Sequence, residues 1–424
     1  MKPKIAIVGT GVAGLGCAYQ LRNHADITLI ERNDHVGGHS NTVDVEEGTR
    51  KLPIDTGFIV FNKVTYPNLV KLFDELDVPI KKSEMSFSAQ HIPDGIEYNG
   101  MSLRKVFAQP RNASSPRYWN FVAQVMRFFK VAPASLHDPA MESLTIREFA
   151  ERFGFGREFM EYYLVPMSSA VWSTDPREVL DFPARTLIRF FMNHGFLGVR
   201  SHHQWWTVNG GARTYVRKLL AHFDAPRLAR PAAGIAENEH GAEIHFEDGT
   251  RTTFDKVVVA THGDEALRLL TSPTPLQKKL LSPFKYQNNR ATLHTDASLM
   301  PTRQLAWASW NYRVETTPDG KLRPTTHYWM NALQGVSDQR DYFVSINAED
   351  LVRPDTILYA TDYDHPVFTL DAIRAQRDLP ALNQVSPSQR LYFCGSYFRY
   401  GFHEDAYSAG LDCAAVVQSH LEVA

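Results

Sequence analysis

The 424-residue chain is 43% apolar and 22% charged, a composition that buries a sizeable core, suits two intertwined domains and excludes a disordered chain. Its 45 basic and 47 acidic residues leave a net charge of −2, which gives no long-range pull toward nucleic acid, so no nucleic-acid partner is expected. Three scattered cysteines (Cys17, Cys394 and Cys413) and the lack of any run near the roughly 20 apolar residues that span a bilayer predict a cytoplasmic protein with at most peripheral membrane contact.

The first element is a strand, Lys4 to Val8 (KIAIV). It runs into Gly9-Thr10-Gly11-Val12-Ala13-Gly14, which opens a helix, and a second apolar run, ITLIE, ends in Glu31. Gly9 permits a tight turn, Gly11 lets backbone approach a pyrophosphate, and Gly14 lets helix and strand pack closely. The free amides of the first helical turn, around Val12 and Ala13, face the anion, and Glu31 is placed to accept hydrogen bonds from an adenosine ribose. The segment is therefore read as a dinucleotide site.

After Glu31 and Arg32 the chain reads NDHVGGHSNT, in which Gly37-Gly38 supplies a second close backbone approach. This resembles the glycine-pair motif of the FAD-dependent amine oxidase and phytoene desaturase superfamily, and the resemblance implies FAD rather than NAD. Relatives usually carry arginine after the pair; here it is His39, a weaker phosphate partner whose charge depends on pH. Asp55-Thr56-Gly57-Phe58 matches the Asp-x-Gly stretch whose glycine lets backbone approach the isoalloxazine in relatives. The fold class implied is α/β, a Rossmann-like FAD-binding domain of the amine oxidase type interleaved with an α+β substrate domain.

Residues 63–202 read as mostly helical, since YPNLVKLFDELDV and YWNFVAQVMRFFKV place apolar residues three and four apart. In residues 203–285 the stretch Ala225 to Pro231 reads as a connecting loop. Ala232 and Ala233 sit where relatives turn backbone toward adenine, EIHFEDGTRTTFD reads as a hairpin about Asp248-Gly249, and the strand DKVVVAT ends at Thr261 beside the nucleotide. Residues 286–385 hold short aromatic and β-branched runs, RATLHTD through ILYATDYDH, that predict an antiparallel sheet. Residues 386–424 give a strand ending at Gly395, then a small-residue helix. The resemblance aims the start of that helix, Glu404-Asp405-Ala406, at the flavin's pyrimidine carbonyl, with Ser396 in place of the usual acid. The FAD-binding domain is thus assigned to 1–62, 203–285 and 386–424, and the substrate domain to 63–202 and 286–385.

DTGFIVFNKVTYPNLVKLFDELDV, YLVPMSSAVWST and QWWTVNGGARTYV are similar, more narrowly, to the flavin-type N-terminal domain of plant cyclopropane fatty-acid synthases and to stand-alone bacterial proteins of that pattern. The resemblance implies a lipid context, with a fatty-acid methyltransferase as a conceivable partner. Trp172, Trp205, Trp206, Trp307, Trp310 and Trp329 fall in or beside the insertions, and two or three of them are expected to face a cavity. The expected activity is hydride transfer to flavin from a hydrophobic, fatty-acyl or lipid substrate. Phe402 stands where relatives place an aromatic beside the flavin, and His294 is the chosen base from among His294, Arg290, His327 and Glu404. Alternatives are amine oxidation, disfavoured because YQNNRATLHTD lacks the lysine of many relatives, redox-neutral double-bond isomerisation, and a flavin-binding accessory of a lipid enzyme. No metal is predicted: His194, His202 and His203 accompany no HExxH or CxxC.

Overall fold

Lys4–Val8 pairs in parallel with Asp26–Ile30 on one side and Lys256–Val259 on the other, and Leu391–Phe393 completes a four-stranded sheet. Ile5, Ala6, Ile7 and Val257 to Val259 are fully buried, because both faces of this parallel sheet are covered and the strands read as unbroken apolar runs. A computed structural model describes residues 1–172, 176–198, 203–224, 228–384 and 389–422. His202, residues 225–227 of the expected connecting loop and the expected boundary at 385–386 lie outside the described residues.

The helix Val12–Leu21 leaves the carboxyl end of the first strand, and the C-terminal helix His403–Glu422 packs on it. Small residues permit that contact: a Cβ at Gly410 would lie 2.3 Å from the Ala13 carbonyl oxygen, and one at Gly16 would lie 2.6 Å from the Tyr407 ring. An antiparallel sheet of Ala232–Asn238, Gly241–Phe246 and Arg251–Phe254 follows, turning at Gly249 with φ +81°.

The second large sheet has seven strands in the order Ile357–Val367, Lys285–His294, Phe343–Ile346, Leu322–Trp329, Trp310–Thr316, Phe87–His91 and Ile96–Asn99. Its last two strands come from the segment whose periodicity predicts helices, and in the same segment Ile80–Ser83 pairs with Trp205–Val208. These strands are only four or five residues long, too short for alternation to outweigh the helical pattern around them. The helices expected there are present as Pro67–Glu75 and Pro116–Ser135.

Alternation decides which side chains of the seven-stranded sheet can reach a ligand. Trp310 pairs with Tyr328, and both line the main cavity, so His327 and its partner Ser345 point to the opposite face. His294 belongs to that opposite face: its Nε2 lies 2.6 Å from the Ser345 hydroxyl, which His327 Nδ1 also meets at 2.6 Å.

Candidate functional site

The carboxyl ends of the parallel strands open into a cavity of about 830 Å³ that extends to the seven-stranded sheet. At one end lie the two glycine turns. Gly11 is the N-cap of Val12–Leu21 and offers no side-chain cap, leaving first-turn amides free for an anion. A Cβ at Gly11 would meet nothing within 4 Å, whereas one at Gly14 would lie 2.1 Å from the Gly9 carbonyl oxygen. The first glycine therefore borders open space and the second packs backbone on backbone. The Gly37 amide donates to the Thr10 carbonyl at 3.1 Å, which ties the second turn to the first.

Glu31 is pinned at this end. It accepts hydrogen bonds from the Thr10 amide at 3.0 Å, the Thr10 hydroxyl at 2.6 Å and the Asn33 amide at 3.1 Å. Arg32 pairs with Glu265, and both line the cavity with Ala232, Ala233 and Thr261.

His39 occupies the middle, stacked on Tyr363 with ring centroids 4.8 Å apart and flanked by His365 and His262 at 5.4 and 6.1 Å. Burial, then the imidazoles of His365, His262 and His403, hold its pKa well below the ordinary histidine value. Burial likewise brings His365 down to about 4 and His403 to about 3. In the ligand-free protein these imidazoles are neutral at pH 7, and an entering pyrophosphate would favour protonating the one beside it.

The turn Asp55-Thr56-Gly57 abuts His39 so closely that a Cβ at Gly57 would lie 2.3 Å from the His39 carbonyl oxygen. Asp55 is an anchor of this turn: it takes hydrogen bonds from the Ala212 amide at 3.0 Å and Gln334 Nε2 at 2.7 Å, and from the Thr42 hydroxyl. Burial pushes its carboxyl up to about 7. Phe58 stacks on His403 at 3.7 Å, and His403 Nε2 meets the Tyr215 hydroxyl at 2.6 Å. Gly210-Gly211, both at positive φ, make the turn that presents Ala212 to Asp55, a signal visible in QWWTVNGGARTYV.

At the far end aromatic rings form a continuous wall. Phe402 stacks on Phe190 at 4.6 Å and faces Trp172 at 5.9 Å, Phe196 stacks on Trp205 at 6.3 Å, and Tyr66 meets Trp205 edge-on at 6.4 Å. Val171, Met85, Trp310, Tyr328 and Ile346 continue this lining. Of the six tryptophans singled out in the sequence, Trp172, Trp205 and Trp310 line the cavity. Trp206 instead lies under Lys63, and Trp307 and Trp329 pack on each other, their indole N–H groups bonded to the Pro301 carbonyl and to Asp341.

Gly9, Gly11, Val12, Ala13, Gly37, Gly38, Gly57, Gly395, Ser396 and Ala406 also border the cavity. Four residues chosen from the sequence do not. Gly14 packs under the turn, Glu404 accepts the Asn68 and Leu69 amides at 3.0 and 2.9 Å, and Asp405 accepts the Phe402 amide at 3.0 Å. Both acids cap free backbone amides, Asp405 that just ahead of its own helix and Glu404 those in the first turn of Pro67–Glu75. His294 lies behind the sheet for the reason of alternation given above, so it is not placed to act as a base on a molecule in this cavity. Phe190 escaped sequence reading because helix phase alone does not separate a cavity-facing ring from a packed one, and Tyr66 and Phe196 because they lie outside helices and strands, where no period marks a face.

The donor set fits a flavin dinucleotide: paired glycine turns with free amides, an acid at the ribose end, and a long cavity leading to rings. The flavin containing amine oxidoreductase model matches residues 12–336. The chain belongs to that family. As a member, it is an FAD-dependent oxidoreductase.

Solved structures of flavin amine oxidoreductases share its fold. Cyclohexylamine oxidase from Brevibacterium oxydans is 16% identical with a TM-score of 0.67 over 100% of each chain, and putrescine oxidase bound to putrescine is 14% identical with a TM-score of 0.69 over 99% of each. A CLA-producing fatty acid isomerase from P. acnes is 15% identical with a TM-score of 0.66 over 98% of each. A comparison with curated protein sequences finds no match. Among the described residues no helix is long and apolar enough to cross a membrane. Among the described residues one group of potential metal ligands, His91, Asp94 and Glu161, has its atoms within 4.8 Å, but Arg117 and Arg157 approach Asp94 at 3.6 and 3.4 Å and neutralise it without an ion.

Proposed function

We propose that the substrate is a hydrophobic, fatty-acyl molecule that gives up hydride to the flavin. One observation carries the reading: among the described residues, the far wall of the cavity, from Tyr66 through Trp172, Phe190, Phe196, Trp205 and Phe402, holds rings and no carboxylate. An ammonium group desolvated there would lack an opposite charge, whereas an acyl chain gains roughly 0.8 kcal/mol for each methylene it buries. The similarity of three segments to the flavin domain of cyclopropane fatty-acid synthases supports the same substrate class.

FAD, when bound, supplies the hydride acceptor. The chain's own residues do the rest. The glycine turns and Glu31 hold the nucleotide end, Gly57 and Phe58 border the path to the ring end, and the aromatic wall orients the chain and excludes water. Phe402 is the candidate ring for contact with the reacting segment.

Redox-neutral movement of a double bond is a second reading, favoured by the position of His294. Net desaturation needs a base for the second hydrogen, and the rings that line this wall carry none; His194, stacked on Phe190 at 3.9 Å, is buried behind them, bonded to the Phe190 carbonyl and brought down to a pKa of about 4 by burial. Return of hydride at another carbon consumes no oxidant. The fatty acid isomerase among the similar folds is in keeping with this chemistry.

Mass analysis of an organic extract of the purified flavoprotein tests the substrate class. Recovery of long-chain acyl species near one per flavin supports it, and an extract holding only polar amines overturns it.

A further inference from the structure

A second cavity, of about 640 Å³, lies apart from the flavin site, between the hairpin Phe87–His91 and Ile96–Asn99, the turn at Gln109 to Arg111, and the loop at Thr302 and Arg303. Arg111, Arg303 and Arg313 line it. Arg313 pairs with Glu315 at 3.1 Å and Arg111 donates to the Gly95 carbonyl, while Arg303 has no carboxylate partner among the described residues. Glu97 also borders the cavity, but it is engaged by the Thr302 and Arg303 amides at 2.9 and 3.1 Å and by Gln90 Nε2 at 3.4 Å. Three polar atoms here are buried without a hydrogen-bond partner: Gln90 Oε1, on a residue 9% exposed, His91 Nε2 and Arg313 Nε. The site is short of an anion for Arg111 and Arg303 and of a donor for Gln90.

The rim continues into a surface both basic and apolar. Between Tyr98 and His137 the chain carries Arg104, Lys105, Arg111, Arg117, Arg127 and Lys130 and no Asp or Glu, in a protein of net charge −2. On Pro116–Ser135, Trp119, Ala123, Met126 and Lys130 recur at helical spacing along one exposed face, opposite the buried Tyr118, Phe121 and Phe128. Trp119 and Met126 are each 50% exposed and the neighbouring Leu103 is 74% exposed. The Trp119 ring packs on Phe107 at 4.8 Å and its Nε1 donates to the Ala113 carbonyl at 2.9 Å, joining this face to the turn that carries Arg111.

We propose that this face docks on an anionic phospholipid bilayer and that the cavity of Arg111, Arg303 and Arg313 receives a headgroup phosphate. Charge complementarity favours this occupant, with Arg104, Lys105, Arg111 and Lys130, none in a salt bridge among the described residues, set among exposed tryptophan, methionine and leucine, the mixture that settles at a lipid interface. A phosphodiester supplies the acceptor that Arg313 Nε lacks, and a hydroxyl-bearing headgroup such as phosphatidylglycerol supplies the donor that Gln90 Oε1 lacks. The docking face is separate from the flavin cavity and does not depend on what that cavity binds.

Co-sedimentation of the flavin-loaded protein with phosphatidylcholine vesicles, with and without phosphatidylglycerol, tests it. Phosphatidylglycerol is expected to raise partitioning at least about tenfold, with added salt reversing the gain, and Arg111→Gln or Arg303→Gln each to lower it about fivefold while the flavin spectrum is unchanged. Lys130→Glu, on the exposed helix face, is expected to act in the same direction. Equal partitioning onto both vesicle types, or wild-type partitioning of these variants, overturns the proposal. So does binding of free glycerol phosphate by a protein that ignores vesicles, which would assign the cavity to a soluble ester. Displacement from vesicles by glycerol phosphate supports the headgroup assignment.

Discussion

A Cβ at Gly38, which sits at φ +56°, would lie 3.3 Å from the Cα of Gly11, so the two glycine turns touch at one end of the cavity, the end proposed to hold the pyrophosphate of FAD. Glycine there serves a ligand, and glycine one helical turn further on serves packing. Gly11→Ala places its methyl in open space in the ligand-free protein, so its melting temperature is expected to change little. FAD affinity is expected to fall about tenfold or more, the equivalent of about 1.4 kcal/mol. Gly14→Ala drives a methyl into the Gly9 carbonyl and is expected to lower stability by about 1–3 kcal/mol. Thermal melts with and without FAD, and FAD titration of the apo form, separate the two effects.

His39 is expected to make FAD affinity depend on pH. In the apoprotein, burial holds its pKa well below the ordinary value, and an adjacent phosphate raises it, so binding takes up a proton between the two values. Affinity is expected to rise as pH falls below about 6.5, the usual histidine value toward which the phosphate returns it, and to level off below the lowered apoprotein value. His39→Gln is expected to flatten that slope. A wild-type affinity independent of pH would separate His39 from the phosphate.

The apoprotein itself is expected to lose stability on acidification. His365, His403 and His194 have folded pKa values lowered to about 4, 3 and 4, so the unfolded chain, with histidine near 6.5, binds more protons over the window between. Asp55, raised by burial to about 7, titrates in the opposite sense, but the lowered histidines outnumber it, so net stability is expected to decline as pH falls from about 6.5 toward 4. Thermal melts across this range check the sign, which a rising melting temperature at pH 5 would reverse.

His294→Asn is expected to cost stability and leave chemistry alone. Its ring shares the Ser345 hydroxyl with His327 on the face of the sheet turned from the cavity, and loss of one such buried bond costs about 1–3 kcal/mol. Stopped-flow reduction of the flavin is expected to proceed at the wild-type rate. Phe402→Ala is the contrasting variant: it removes a ring stacked on Phe190 and is expected to retain FAD while slowing reduction about tenfold. A tenfold loss in the first variant with none in the second would exchange the two roles.

The nucleotide end was legible because its chemistry is local. Gly9 to Gly14, Glu31 and Gly37-Gly38 fall within forty residues, and each is there for a turn or an approach that few other residues permit. The hairpin Phe87–His91 and Ile96–Asn99 was missed: Asp94-Gly95 marks its turn, with Gly95 at φ +67°, but the flanking strands are shorter than the helices beside them. The side to which His294 points was not legible. A single shift of phase reverses every side chain in a strand, and the pairing with Phe343–Ile346 that fixes the phase is made some fifty residues away, beside a register shift at Leu293/His294. The aromatic wall depended on rings from Tyr66 to Phe402 that only the folded chain brings together.

Anaerobic addition of candidate donors to the flavin-loaded protein, followed by the flavin's visible absorbance, tests the substrate assignment most directly. Loss of absorbance with an unsaturated fatty acid or its phospholipid ester, or double-bond migration in the recovered lipid with the colour retained, is the predicted result. Bleaching by putrescine or cyclohexylamine with no response to either lipid would contradict it.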